Sequence, residues 1–106
     1  MNEEDYNRAL NGDNNLSGAD LSNADLREAK MGGANLREAN LRGADLRKGK
    51  LFQTYLINAD LRGADLRKAI LEESNLEGAD LTDANTEKAK FKDTILKDVK
   101  GHTFIF

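Results

Sequence analysis

The chain has 106 residues and a formal net charge of −3. It has no cysteine, which excludes a disulfide framework, and it shows no signal peptide, long apolar segment or lipidation motif, which predicts a cytoplasmic protein that does not enter membranes. Four Phe, two Tyr and no Trp are few large side chains for a globular core of this length.

Residues 1–12 predict a short N-terminal capping helix. Asn2 can cap its start, Gly12 can end it, and the acidic residues after the cap favour the positive end of the helix dipole. Its apolar side chains share one face: Tyr6, Ala9 and Leu10. That face is expected to lie over the first coil of the following repeat, and a partner-binding helix is the alternative.

Residues 13–98 repeat every five residues. In the stretch ANLREANLRGADLRKG, residues 34–49, a leucine recurs at every fifth position and a small residue stands two places before it. On a helix such leucines would lie about 140° apart, and on a flat strand they would alternate between faces. The chain must therefore bend once per unit, so that every leucine faces one axis. Thr86 is the one polar residue at a leucine position.

A longer period shows how many bends close one coil. The residues before successive leucines repeat in groups of four units, for example Asn35, Asn40, Asp45 and Lys50. Residues twenty apart are therefore predicted neighbours in a square coil, with rungs about 4.8 Å apart and about four coils in all. The absence of proline fits a coil in which nearly every backbone N–H is bonded.

The repeats ADLRE, ANLRE, ANLRG, ADLRG and ADLRK resemble those of pentapeptide-repeat proteins, whose units read A(D/N)LXX. The resemblance covers residues 14–98. It implies an all-β fold, a right-handed quadrilateral parallel β-helix or solenoid.

Residues 99–106 are predicted to form a C-terminal capping segment. Phe104 and Phe106 fall on the inward phase of the repeat. They are expected either to close the last coil or to form a self-association surface for a second copy.

No residue pattern predicts catalysis, a cofactor, a metal site or a small-molecule substrate. His102 is the only histidine, and without cysteine it cannot build a zinc site. One outward acidic column is expected to make ion pairs with Arg42 and Arg62; it consists of Asp20, Asp60 and Asp80. We therefore expect a protein that is not an enzyme.

The outward residues also include a basic column, which consists of Arg27, Arg47 and Arg67 and has Lys48, Lys68 and Lys88 beside it. An aspartate stands two residues before each arginine. A neutralised, solubilising face is favoured over a phosphate-binding one, so no direct nucleic acid binding is expected.

The stretch GKLFQTYLIN breaks the polar outward pattern. Apolar residues there and one coil later are predicted to gather around one corner of the square: Phe52, Tyr55, Ile57 and Ile70. They form a candidate contact patch for a protein partner or for self-association, or they simply cover one another.

These observations predict a non-enzymatic structural or protein-interaction scaffold. The resemblance implies one alternative, because some pentapeptide-repeat proteins modulate or inhibit DNA gyrase by imitating DNA. Such mimicry needs an extended anionic surface, and the basic middle of this chain interrupts it.

Overall fold

The structure of the protein is a computed structural model that describes residues 1–102. Helix α1 spans Glu3–Leu10, and the chain then repeats one turn and one isolated β-bridge every five residues up to Lys100. Within residues 1–102 no β-strand is longer than a single bridge. The molecule is a rod of 37 × 21 × 20 Å. The predicted contacts of Phe104 and Phe106 lie outside the described residues.

Each five-residue unit has a fixed order of positions. A small residue is followed by the bridge position, the central position, and the first and second turn positions. Within residues 1–102 all fourteen bridges are parallel and join residues twenty apart, from Asn15 with Asn35 to Asp80 with Lys100. One turn of the coil therefore takes four units, which is the register that the sequence predicts.

Backbone hydrogen bonds use four of the five N–H groups of a unit. In residues 44–48 the N–H groups of the central and second turn positions donate to the next rung, at 2.8 and 3.0 Å. The N–H of the bridge position donates to the preceding rung at 2.9 Å, and that of the small residue closes the preceding turn at 3.1 Å. Only the N–H of the first turn position finds no backbone acceptor in this scheme.

The second turn position has a positive φ angle throughout the coil. Twelve non-glycine residues hold φ between 57° and 62° there, and Gly63 holds 68°. This left-handed conformation costs an ordinary residue about 1 kcal/mol, whereas glycine adopts it freely. The turn that brings each leucine inward therefore carries strain in most units.

The core is the column of central side chains, which are at most 3% exposed from Leu16 to Leu81. Small residues pack around it and are buried along most of the column. Toward the other end of the described chain, Thr86, Phe91 and Leu96 are only half-buried. The Thr86 hydroxyl lies 2.8 Å from Nε2 of His102. Thr86 is thus bonded near the end of the coil rather than enclosed within it.

Two small positions carry buried hydroxyl groups. Thr54 and Ser74 lie on neighbouring rungs and are each 1% exposed. Their hydroxyls both donate to the carbonyl of Leu51, at 2.8 and 2.7 Å, and lie 3.1 Å from each other. These bonds satisfy the polar groups, so the two residues substitute for alanine without leaving an unpaired hydroxyl.

Helix α1 packs on the first coil. Its start is capped by the side chain of Asn2, the Tyr6 hydroxyl donates to the carbonyl of Asp25 at 2.8 Å, and Ala9 is buried in the core. Leu10 is 52% exposed, so its predicted place against the coil is wrong; the coil covers Tyr6 and Ala9 and does not reach Leu10. In the described part of the chain no helix has the length and apolar character needed to cross a membrane.

Candidate functional site

Aspartate and asparagine at the bridge position bond the N–H group that the backbone scheme omits. In residues 44–48, Oδ1 of Asp45 accepts from the N–H of Arg47, at 3.3 Å. We call this bond the Asx latch. In the described part of the chain it occurs in ten units, with acceptors Asp20, Asp25, Asn35, Asn40, Asp45, Asp60, Asp65, Asn75, Asp80 and Asn85. The recurrent Asp or Asn of the repeat thus completes the backbone hydrogen bonding.

The same aspartates hold the arginines of the basic column. Nη2 of Arg47 lies 2.6 Å from Oδ2 of Asp45, and its Nε lies 3.7 Å from Asp65 on the next rung. Arg27 and Arg67 make the same contact with their own aspartates at 2.7 and 2.6 Å. The hydrogen bonds from Arg27 lower the pKa of Asp25 to about 2. The arginines are therefore neutralised in place, as predicted.

The predicted acidic column is only partly paired with arginine. Asp60 contacts Arg62 at 2.6 Å and Arg42 at 4.0 Å. Asp20 and Asp80 instead accept hydrogen bonds from the hydroxyl groups of the residues two places on, at 2.7 and 2.6 Å, and those bonds lower the pKa of both carboxyls. Arginine pairs for Asp20 and Asp80 were wrongly predicted, because their partners at the first turn position are serine and threonine. Among the described residues no three His, Cys, Asp or Glu side chains come together as metal ligands.

The apolar residues of the candidate patch differ in exposure. Phe52 is 45% exposed and Tyr55 44% exposed, whereas Ile57 and Ile70 are half-buried. The Phe52 ring lies over Gly32, where an added Cβ would come within 2.8 Å of it. The guanidinium of a neighbouring arginine lies 4.5 Å from the centre of the Tyr55 ring and covers part of it.

The structure spreads these residues over more than one corner. Phe52 and Ile57 occupy consecutive turns, so they lie at the two ends of one side of the square. Ile70 sits on the adjacent side, bridged to lysines on both neighbouring rungs. The prediction of a single corner treats the turn positions and the bridge positions alike. In the structure the turn positions lie at the corners of the square, and the bridge positions lie along its sides.

One exposed apolar residue of the described coil was not predicted. Ile95 is 49% exposed and lies in the column of Tyr55, with Asn75 between them. Tyr55, Asn75 and Ile95 help to line a surface groove of about 470 Å³. The twenty-residue register already places Ile95 in this column, so the sequence contained the signal. We call Phe52, Tyr55 and Ile95 the apolar strip.

Comparisons with known proteins agree with this geometry. The family model for pentapeptide repeats matches eight copies over residues 15–51 and 59–98. A crystal structure of the pentapeptide repeat protein Rfr23 from the cyanobacterium Cyanothece 51142 is 37% identical with a TM-score of 0.80, covering 83% of this chain and 60% of that one. No curated protein sequence matches the chain.

Two further solved structures are similar. QnrB1, a plasmid-mediated fluoroquinolone resistance protein, is 29% identical with a TM-score of 0.71 over 76% of this chain and 39% of that one. A pentapeptide repeat protein from the Arabidopsis thaliana thylakoid lumen is 35% identical with a TM-score of 0.55 over 76% of this chain and 59% of that one. The chain therefore spans less than two thirds of the length of these three proteins.

Proposed function

The chain belongs to the pentapeptide-repeat family, and we propose that it is a non-enzymatic protein-interaction scaffold whose contact surface is the apolar strip. Proteins of this family are right-handed quadrilateral β-helices that generally lack enzymatic activity. In this proposal residues 1–12 cover the first coil, residues 13–98 form about four coils, and residues 99–106 close the other end. A cytoplasmic location remains a prediction.

The exposure of the strip carries the proposal. Phe52, Tyr55 and Ile95 each leave nearly half of their surface in water, although most outward positions of the coil hold charged or polar side chains. Covering exposed apolar surface with a partner lowers the free energy of the complex. The rungs behind it are joined by backbone hydrogen bonds, so the strip is presented on a rigid support. The partner is a protein or a second copy of the chain.

Substitution of the strip tests this function. In the triple variant Phe52→Ser, Tyr55→Ser, Ile95→Ser, the melting temperature should stay close to the parent, because these side chains are largely outside the core. If the strip binds a second copy, sedimentation velocity should show that the variant no longer self-associates. If it binds another protein, crosslinked capture should show that this protein is no longer recovered. A matched control replaces exposed polar residues by serine: Arg42, Asp83 and Lys97.

Two results would contradict the scaffold proposal. One is an unchanged sedimentation profile together with unchanged capture in the strip variant. The other is an equal loss in the polar control, which would show that the effect does not depend on the apolar surface. A separate Phe104→Ser, Phe106→Ser variant tests self-association through the predicted C-terminal segment.

The second candidate is modulation of DNA gyrase, which the family resemblance implies, and the chain shares its fold with QnrB1, a fluoroquinolone resistance protein. An anionic DNA-like surface is the physical requirement, and exposed lysines on one corner of the rod interrupt such a surface. Gyrase supercoiling should therefore be the same with and without the protein. A change in supercoiling, or protection of gyrase from a fluoroquinolone, would favour this candidate over the scaffold.

A further inference from the structure

Six exposed lysines form two columns that border one corner of the rod. One border is the second turn position of the third side of the square, with Lys48, Lys68 and Lys88. The other is the bridge position of the fourth side, with Lys30, Lys50 and Lys90. The position between the two borders holds only small residues: Ala29, Gly49, Ala69 and Ala89. We call this feature the lysine furrow.

The ammonium groups of the furrow are unpaired. Across residues 1–102 every ion pair within 4.0 Å is made by an arginine or by the N-terminal amino group, and none is made by a lysine. The neighbouring aspartates are already engaged, since Asp45 and Asp65 each hold an arginine at 2.6 Å. Six positive charges thus lie close together with no internal partner. Glu28 occupies the same column as Lys48, one coil earlier, so the first border of the furrow ends there.

The spacing of the lysines fits an extended peptide. Rungs lie about 4.8 Å apart, so the three steps from Lys30 to Lys90 span about 14 Å, the length of four or five residues of extended chain at about 3.3 Å each. Successive side chains of an extended peptide point to opposite sides. Consecutive carboxylates can therefore meet the two borders alternately.

We propose that the lysine furrow binds an extended segment of a partner protein that is rich in Asp and Glu. This surface is distinct from the apolar strip, and its occupancy does not depend on the scaffold function. No long side chain projects between the two borders, because the small residues there are buried or half-buried, and flexible lysine side chains adjust to the carboxylates. Ile70 replaces lysine in one border and offers an apolar contact between two charged ones.

The neighbourhood of the furrow disfavours nucleic acid. The arginines beside it, which would grip phosphate in a bidentate manner, are held by their own aspartates. Neither border contains an aromatic side chain on which bases can stack. A duplex about 20 Å wide would also press against the aspartate column next to the first border, whereas a single extended peptide is narrow enough to avoid it.

Fluorescence anisotropy with a labelled oligoglutamate of about eight residues tests the proposal, with salt raised from about 50 to about 200 mM to confirm charge pairing. The triple variant Lys48→Gln, Lys68→Gln, Lys88→Gln should weaken binding about tenfold, because it removes three of the six charges. The control variant Lys92→Gln, Lys97→Gln, Lys100→Gln removes the same charge from exposed positions outside the furrow and should weaken binding less than about twofold.

Three results would overturn the proposal. They are no binding of oligoglutamate to the parent at low salt, an equal loss of affinity in the control variant, and tighter binding of a single-stranded oligonucleotide of matched charge that the furrow variant abolishes. Circular dichroism of both variants checks that the coil is intact, and all six substituted side chains are exposed, so folding is expected to be unaffected.

Discussion

The Asx latch predicts that an outward-pointing aspartate stabilises the coil through its own backbone. Oδ1 of Asp65 accepts from the N–H of Arg67 at 3.2 Å, and the carboxylate also pairs with the Arg67 guanidinium at 2.6 Å. Asp65→Ala removes both contacts. Loss of a backbone hydrogen bond costs about 0.5 to 1.5 kcal/mol, and loss of an exposed ion pair adds less than about 1 kcal/mol.

Asparagine separates the two contributions. Asp65→Asn keeps an oxygen for the Arg67 N–H and removes the charge, and it also relieves repulsion from Asp45 on the adjacent rung. We expect Asp65→Asn to match the parent within about 0.5 kcal/mol, and Asp65→Ala to lose about 1 to 2 kcal/mol of unfolding free energy. For a domain of this size, each kcal/mol corresponds to a fall of about 4 to 8 °C in melting temperature.

Urea unfolding followed by circular dichroism measures the difference, provided that the dependence on urea is unchanged among the variants. Lys50→Ala is the matched control, because it truncates the same position on the side where no latch exists, and it should be nearly neutral. If Asp65→Ala proves as stable as Asp65→Asn, the latch contributes nothing and the repeat needs another explanation for its Asp or Asn.

Four further outcomes follow from the structure. Ala64→Leu overfills a buried small position and should cost about 1 to 3 kcal/mol in urea unfolding, whereas a shift within error would place this residue outside the core. Gly63→Ala should cost about 1 kcal/mol through its positive φ alone, because no atom lies within 4 Å of the added methyl, and Gly63→Asn should recover part of that loss. The folded pKa of Asp25 is about 2, below its unfolded value, so the stability that Asp25 supplies is complete above about pH 4 and is lost as the pH falls toward 2; melting temperature should fall over that range, and less so in Asp25→Asn. Lys50→Asn should supply a latch for the N–H of Phe52 and raise the unfolding free energy by about 0.5 to 1 kcal/mol, and an unchanged value would deny the latch at that position.

The regular part of the fold was predictable because the same five-residue unit repeats along the rod. Only a residue at the central position reaches the axis, so the leucine period fixed which side chains are buried, and the recurrence of Asn and Lys at the bridge position fixed the register of twenty residues. The Asx latch was not predicted, because the repeat pattern shows only that Asp45 faces outward. The pattern does not show that the Arg47 N–H lacks a backbone acceptor and bonds the Asp45 side chain instead.

The irregular features were harder to predict for a different reason. The hydroxyls of Thr54 and Ser74 point to one carbonyl from two rungs, a contact that depends on three-dimensional stacking. Ile95 was not predicted because it lies two coils beyond Tyr55, although the register places it beside Asn75. Leu10 shows the opposite error, since helical periodicity defines a face without saying how much of it the coil covers.

The bridge position explains why the two proposed surfaces lie where they do. On the second and third sides of the square this position is filled by Asp or Asn from residue 20 to residue 85, and all eight of these units gain a hydrogen bond to their own backbone. The fourth side has Lys30, Lys50, Ile70 and Lys90 instead, and the first side departs from asparagine only at Tyr55 and Ile95. For the units of Lys50 and Tyr55, no described residue accepts a hydrogen bond from the N–H of the first turn position. These substitutions give up a structural hydrogen bond, and all six lie in a border of the lysine furrow or in the apolar strip. A side chain released from the latch is free to meet a partner, which is why a loss of local stability and a candidate contact surface coincide on this rod.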